Sequence, residues 1–128
     1  MEFTEQRNSE LMQAYRRAIA GSSRIDIAEV SVAVVNTPCS RFWVSEERAM
    51  VVVNAIEKGK DCMRRFRATK REMFEEIHRR VVAMRERHPR MSMSEVVFRV
   101  VNSPAPKFYM RPRCAMEIIY KLRKRRRH

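Results

Sequence analysis

The stretch VNSPAPKFYM at residues 101–110 decides how this chain is organised, because VNTPCSRFWV at residues 35–44 repeats its plan. In both stretches a helical pattern ends, a proline-bearing turn with a basic-aromatic-aromatic step follows, and a new helical pattern begins. The alignment continues at the same offset without a gap, so that residues 25–56 and 91–122 share 9 identities in 32 positions. This match predicts two copies of one unit.

Helix-capping residues occur at matching places in the two copies. Asp26 and Glu29 have the spacing of a capping box, in which the first side chain bonds a main-chain amide of the first turn. Ser92 and Glu95 repeat that box at the aligned positions of the second copy. Ser45 is a further expected N-cap, at the start of the helix that follows the first turn. These signals predict where the middle helix of each copy and the third helix of the first copy begin.

Glycine and proline supply the remaining boundaries. Gly21 and Gly59 follow helical patterns, where glycine readily takes the left-handed conformation that ends a helix. Pro112 stands at the first position of the last helix, where proline is favoured. The β-branched runs at residues 34–35 and 51–53 favour strands locally, but the helical periodicity around them outweighs that preference.

Apolar residues at spacings of three and four mark one side of each predicted helix as core. The predicted fold class is all-α, a tandem repeat of two three-helix, helix-turn-helix-like units that span residues 1–60 and 61–128. A unit of about 60 residues has a marginal core, so we expect the units to pack on each other or on a second chain. The predicted core residues, including two turn aromatics, are Leu11, Tyr15, Ala18, Ile19, Ile27, Val30, Val34, Phe42, Trp43, Ala49, Val52, Val53, Ile56, Ile77, Val81, Met84, Val96, Val97, Val100, Val101, Ala115, Ile118, Ile119 and Leu122.

The net charge of +13 is distributed unevenly along the chain. Residues 1–62 contain 8 Lys and Arg against 9 Asp and Glu, whereas residues 63–128 contain 20 against 6. The half-chain net charges of −1 and +14 favour a polyanionic partner for the second half over a merely solvated surface, because crowded like charges repel. We therefore expect the second unit to bind nucleic acid and the first to serve packing or dimerisation.

The sequence has no arrangement of residues typical of catalysis or metal binding. His78 lies in a basic helix beside two arginines and is better explained as a surface residue than as a catalytic base. Cys39, Cys62 and Cys114 are odd in number and lack metal-ligand spacing, which predicts reduced thiols. We expect neither enzymatic activity nor a cofactor.

No apolar run approaches the length of a membrane span, so no membrane insertion is expected. The N-terminus is acidic and polar, unlike a secretory signal. The expected location is cytoplasmic, with the nucleoid or, for a phage protein, the virion as the specific sites.

A candidate nucleic-acid site is centred on the last helix. Two helices joined by a turn, with the second helix basic, resemble a helix-turn-helix, although the turn is longer than usual. Arg111 and Arg113 stand at the N-terminus of that helix, where arginine can bond guanine and Glu117 can accept from cytosine. The predicted nucleic-acid-binding residues are Arg64, Arg65, Arg67, Lys70, Arg71, Lys107, Arg111, Arg113, Glu117, Tyr120, Lys121, Lys124, Arg125, Arg126 and Arg127.

The aromatic pair Phe108 and Tyr109 has two interpretations. The favoured one places the pair in the core between helices, and the other has it stack on bases. In the first copy, the positions that correspond to the basic start of the last helix hold Ser45, Glu46 and Glu47, which a phosphate backbone would repel. The two copies are therefore expected to differ in function.

The segment from Asn102 to Tyr109, followed by Ala115 and by Ile118 and Ile119, resembles a group of small, functionally uncharacterised bacterial proteins. Those proteins have a similar Pro-Ala-Pro-Lys/Arg-Phe-Tyr motif before a short helix. The resemblance covers about 30 residues and implies no particular activity.

The leading functional prediction is a small DNA-binding protein, either regulatory or architectural, with DNA favoured over RNA. The alternative is a structural component of a larger assembly, such as a phage particle or a ribonucleoprotein, whose basic half docks on an acidic partner or on packaged nucleic acid. Homodimerisation or a larger assembly fits either prediction. A membrane-surface role through a basic amphipathic helix is disfavoured, because the apolar stripes are needed for the core.

Overall fold

The computed structural model describes residues 3–126, apart from the side chain of Arg126. The described residues form six α-helices, one short 3₁₀ turn and no β-strand, which confirms the all-α prediction. The helices are α1 (Thr4–Ile19), α2 (Ile27–Val35), α3 (Glu46–Glu57), α4 (Ala68–Arg87), α5 (Met93–Val101) and α6 (Pro112–Arg126), with the 3₁₀ turn at Met63–Arg65 before α4.

The capping residues predicted from the sequence act as caps. The Asp26 carboxylate accepts hydrogen bonds from the main-chain nitrogens of Ala28 and Glu29, at 3.0 and 3.4 Å. The hydroxyls of Ser45 and Ser92 accept from the nitrogens three residues further on, at 3.1 and 3.2 Å. Each of these bonds satisfies an amide that the helix itself leaves unpaired. The local sequence therefore accounts for where α2, α3 and α5 begin.

The helices pack as two compact units. Unit 1 consists of α1, α2 and α6, and unit 2 consists of α3, α4 and α5. Within unit 1, each of the three helices contacts the other two, and the same holds within unit 2. The chain passes from unit 1 to unit 2 after Cys39 and returns after Ala105.

This grouping differs from the predicted units of residues 1–60 and 61–128. The third helix of each sequence copy packs with the first two helices of the other copy. Two equivalent hydrogen bonds accompany the exchange: Phe42 N donates to Val101 O within unit 2 at 3.0 Å, and Phe108 N donates to Val35 O within unit 1 at 2.9 Å. Because the apolar stripes of the two copies are similar, the local sequence does not indicate which helix pair each third helix packs on.

The core of each unit is built largely from the predicted apolar stripes. Residues at every expected α5 position are buried, and Ala115 and Ile119 of α6 are fully buried. Ala18 is exposed, contrary to the prediction, because the buried part of α1 ends at Tyr15 and the last turn of the helix is not covered. The predicted core residues that are only partly buried are Ile19, Ile27, Val30, Trp43, Ile56, Met84, Ile118 and Leu122.

The two sequence copies have the same order of helices. Helix α5 begins and ends at the positions that align with the ends of α2, and α6 begins at the position that aligns with the start of α3. The turn aromatics Phe42 and Phe108 are both buried. These correspondences agree with the tandem repeat, which remains a prediction from the sequence.

Candidate nucleic-acid interface

The positive charge is shared almost equally between the two compact units. Unit 1 contains 13 Lys and Arg against 6 Asp and Glu, and unit 2 contains 15 against 9. Net charges of +7 and +6 replace the values of −1 and +14 for the sequence halves, because α6 belongs to unit 1 and α3 belongs to unit 2. Each unit is therefore basic enough to carry a cationic surface.

On unit 1, α6 presents a polar outer face. Ala115 and Ile119 lie on the opposite, buried side of the helix. The spacing of the outer residues places them along one stripe, as the sequence predicted, and all of them are exposed. This outer face consists of Arg113, Glu117, Tyr120, Lys121 and Lys124.

The cations of α6 are only weakly neutralised. Arg113 Nε lies 3.7 Å from Glu117 Oε1, but both side chains are mostly exposed, so that this ion pair contributes little. Within the described part of the chain, Lys121, Lys124 and Arg125 have no ion pair. The exposed Arg111 precedes the helix, and among the described side chains its guanidinium approaches only the Cys114 thiol, at 3.9 Å.

The turn before α6 is a packed part of unit 1. Phe108 is buried, which confirms its predicted core role. Tyr109 adopts a φ of 54°, in the left-handed region, and Lys107 Nζ lies 5.5 Å from its ring centroid. The carbonyl oxygen of Lys107 also accepts a hydrogen bond from the Cys39 thiol at 3.4 Å. Lys107 is thus partly engaged within the protein.

On unit 2, the cations concentrate in residues 58–71, which we term the basic segment. It contains seven Lys and Arg and a single acidic residue, Asp61. The segment includes the 3₁₀ turn and ends in the first turn of α4. Arg67 is the N-cap residue of that helix, and its side chain makes no capping hydrogen bond.

The five predicted residues of the basic segment have different surroundings. Arg64 forms an exposed ion pair with Asp61 at 3.2 Å. Arg71 donates to the main-chain carbonyls of Met63 and Phe66, at 3.3 and 3.0 Å, so that it ties the segment to α4. The remaining three are exposed and have no ion pair among the described residues; they are Arg65, Arg67 and Lys70.

The helix N-termini fall into two classes. Acidic residues occupy the first turns of α1, α2, α3 and α5, where they complement the positive end of the helix dipole. The first turns of α4 and α6 contain no acidic residue. Instead, α4 begins beside Arg67, Lys70 and Arg71, and α6 begins beside Arg111 and Arg113.

The two helices of the predicted helix-turn-helix, α5 and α6, belong to different units. Helix α5 packs with α3 and α4, and α6 packs with α1 and α2. Of the predicted site residues, those from Arg64 to Arg71 lie on unit 2, and those from Lys107 to Arg125 lie on unit 1. Arg126 belongs to α6, but its side chain is outside the described part, and Arg127 is outside it altogether.

Two other arginines are used to hold unit 2 together, which the sequence did not reveal. Arg80 donates to Glu76 at 2.7 Å and to the carbonyl oxygen of Pro104 at 2.8 Å, and its guanidinium lies 5.1 Å from the Phe42 ring centroid. Arg41 donates to the carbonyl oxygens of Phe42 and Val44 at 2.9 and 2.8 Å. Apart from Glu76, four residues before Arg80, these partners lie far away in sequence or on the main chain, where no pattern of residue types marks them.

A hydrogen-bond network beside Arg41 also affects one carboxylate. Asn102 Nδ2 donates to Glu46 Oε1 at 3.0 Å, and this bond is the main reason that the pKa of Glu46 is lowered from its ordinary value. On unit 1, burial lowers the pKa of Arg7, although the neighbouring Cys114 opposes that shift. Both groups keep their charge at neutral pH.

Unit 2 also contains an open, mainly apolar depression of about 390 Å³. At its edge, His78 Nε2 lies 3.5 Å from Glu57 Oε1, which also accepts a hydrogen bond from Arg85 at 3.1 Å. Among the described residues, no cluster of three or more His, Cys, Asp or Glu side chains could hold a metal ion. The depression is lined by Ile56, Met63, Glu75, His78, Arg79 and Val82.

None of the described helices is long and apolar enough to cross a membrane. Comparisons with protein families, with curated proteins and with solved structures found no match.

Proposed function

We propose that this protein binds nucleic acid through phosphate contacts made by two basic surfaces. One is the N-terminal edge and outer face of α6 on unit 1, and the other is the basic segment on unit 2. Phosphates are the most abundant anions of DNA and RNA, and exposed arginines and lysines bind them without regard to sequence. The proposal extends the expected DNA-binding role to both units.

The observation that supports it most directly is the reversed charge at the starts of α4 and α6. Cations near a helix C-terminus, such as Lys124 and Arg125, are favoured by the helix dipole and need no ligand. The same dipole disfavours Arg67 before α4 and Arg111 before α6. A phosphate placed there would interact favourably with both the main-chain amides and the arginines.

The role of the protein on DNA, regulatory or architectural, depends on whether α6 contacts bases. In free protein Arg113 is paired with Glu117, and this exposed pair can open at little cost. If α6 reads bases, Arg113→Ala should cost about 1–3 kcal/mol on a preferred site and much less on other sequences. An equal loss on every duplex would indicate an architectural role.

The primary test is a salt series of binding measurements on the intact chain with duplex DNA, single-stranded DNA and RNA. We expect affinity to fall steeply with salt, because each neutralised phosphate releases condensed counterions. Arg111→Ala with Arg113→Ala, and Arg65→Ala with Arg67→Ala, should each reduce the slope by up to about 0.9 for every phosphate that is no longer neutralised.

A matched control is Arg99→Ala, since Arg99 is also an exposed helical arginine, paired with Glu95 at 3.0 Å, but lies outside both the basic segment and α6. This variant should leave both the affinity and the salt slope unchanged. If no nucleic acid binds in a salt-dependent way, the proposal is wrong.

The alternative role, a component of a larger assembly, is favoured by a different observation. Several large apolar side chains are exposed on the helices of both units. They include Val51 of α3, which is 61% accessible, Phe98 of α5, which is 55% accessible, and Val32 of α2. Such side chains are often covered by a protein partner. Sedimentation across a concentration series tests this role, because an assembly component that uses these residues to contact its own copies should associate and Val51→Ser should weaken the association.

A further inference from the structure

Tyr120 stands out on the outer face of α6. It is 47% exposed, although burial of a tyrosine ring stabilises the folded state. The equivalent position of the first copy is Asn54, so the position does not require an aromatic ring for packing. Lys121 and Lys124 follow it by one and four residues on the same exposed face.

This combination of ring and cations matches the chemistry of a nucleotide. A base offers a flat π-surface to the ring, and its phosphate offers a negative charge to the lysines. An apolar protein surface is a poor occupant, because it would have to desolvate charged groups around the ring. Tyr120 and Lys124 are one helical turn apart, about 6 Å along the axis, which leaves room for a base beside one and a phosphate beside the other.

Whether the bases are paired and stacked determines which form of nucleic acid can bind the Tyr120 ring. In a duplex, both faces of each base are already stacked on neighbours, so a protruding ring finds no free face without unstacking a step. In a single strand the bases are free to leave their stack and cover an aromatic side chain. An unpaired nucleotide is therefore the best stacking partner for the Tyr120 ring.

We propose that unit 1 prefers single-stranded nucleic acid, with Tyr120 stacked on an unpaired base and with Lys121 and Lys124 on the adjoining phosphates. This inference rests on the proposed nucleic-acid binding and specifies its ligand. The shared chemistry of ribose and deoxyribose strands is a phosphodiester chain with accessible bases, and the binding experiment separates the two.

Phe98 provides a control within the same chain. It is an exposed aromatic residue on a helix, but its neighbours Glu95 and Arg99 form an ion pair at 3.0 Å that cancels the local charge. Phe98 lies on unit 2, outside the basic segment. Its removal takes away a comparable ring without the cationic surroundings.

The test measures binding of the intact chain to labelled oligothymidylate, to oligouridylate and to a duplex of thymidylate with its complement. We expect a single strand to bind more tightly than the duplex. Tyr120→Ala should weaken single-strand binding about tenfold and duplex binding much less, whereas Tyr120→Phe should retain the affinity because it keeps the ring. Phe98→Ala should have no effect, and thermal unfolding should show that all variants remain folded.

Each outcome separates this inference from the function on which it rests. If the nucleic acids bind with a salt-dependent affinity but Tyr120→Ala and Phe98→Ala behave alike, single-strand stacking is refuted and the general function stands. Tighter binding to the duplex than to either strand would have the same meaning. If nothing binds, both fail. The ratio of oligothymidylate to oligouridylate affinity distinguishes a DNA ligand from an RNA ligand.

Discussion

Arg80 shows how a single side chain can hold distant parts of a unit together. Its guanidinium donates to a carboxylate on its own helix, to the Ser103 hydroxyl at 3.3 Å and to the carbonyl oxygen of Pro104. It also covers the ring of Phe42, the aromatic residue that precedes α3. Such planar, multiply bonded arginines are not replaced by lysine, which lacks the fork of donors.

We therefore expect Arg80→Ala to lower the free energy of unfolding of unit 2 by about 2 kcal/mol, because several charge-assisted hydrogen bonds are removed together. Arg80→Lys should recover only part of this loss. The matched control is Arg79→Ala, since Arg79 is more exposed and pairs with the same Glu76. Urea unfolding followed by circular dichroism measures the effect, and equal values for the Arg79 and Arg80 variants would contradict it.

Ser31 is a polar residue in an apolar setting. It is fully buried in α2, and its hydroxyl has no hydrogen-bond partner among the described residues. The equivalent residue of the second copy is Val97. Unpaired buried hydroxyls cost free energy in the folded state, so this position weakens unit 1.

Ser31→Ala should raise the free energy of unfolding by about 1 kcal/mol more than Ser9→Ala does. The Ser9 variant, at an exposed position within α1, supplies the helix-propensity gain of the same substitution. Thermal unfolding of both variants checks the difference. A smaller gain at Ser31 than at Ser9 would mean that the hydroxyl has a partner in solution.

At the scale of elements, the sequence was sufficient to predict the helices. The caps at Asp26, Ser45 and Ser92 bond amides within three residues. The breaks at Gly21 and Gly59 each depend on one positive φ angle, 77° at Gly21 and 72° at Gly59. Interactions of such short range are determined by neighbouring residues. The outward direction of the basic face of α6 was also predictable, because helical periodicity places it opposite the buried stripe.

A substitution at the start of α4 should change folding stability and nucleic-acid affinity in opposite directions. Arg67→Asp should raise the free energy of unfolding by about 1 kcal/mol, because an aspartate at the N-cap accepts a main-chain hydrogen bond and complements the dipole. The same substitution should weaken nucleic-acid binding, since it reverses a charge in the basic segment.

Arg67→Ala is the control for this variant, because it removes the cation without supplying a cap. It should lower affinity less than Arg67→Asp and should raise stability by less, because it relieves the unfavourable interaction of the cation with the dipole but gains no capping hydrogen bond. Chemical unfolding and the salt series together give both quantities. An unchanged affinity in Arg67→Asp would remove the basic segment from the proposed interface.

For the whole molecule, the consequence of the exchanged third helices is that neither sequence half contains a complete unit. Residues 1–60 contribute α1 and α2 to unit 1 but α3 to unit 2. Residues 61–128 contribute α4 and α5 to unit 2 but α6 to unit 1. The half-chain of residues 63–128, which the sequence predicted to bind nucleic acid, lacks the packing partners of all its helices except the α4–α5 pair.

A chain cut between the halves should therefore stay together. With a specific protease site placed at Gly59, an exposed residue with open space around it, cleavage should leave both fragments in one peak of native size-exclusion chromatography. Denaturation should separate them, and mixing should restore the helical circular dichroism. As a comparison, the separately expressed fragments alone should be largely unfolded, and two independently folded halves would show that the exchange does not occur in solution.

By itself, the sequence determined the all-helical periodicity, the caps of α2, α3 and α5 and the exposed basic face of α6, because these follow from interactions within a few residues. Only the tertiary structure decided which helices form each unit. The similar apolar faces of the two copies make both groupings compatible with local patterns. The two groupings differ in contacts between residues far apart in the sequence, such as Phe42 with Val101 and Phe108 with Val35. These long-range contacts also decide how the positive charge is divided between the two units.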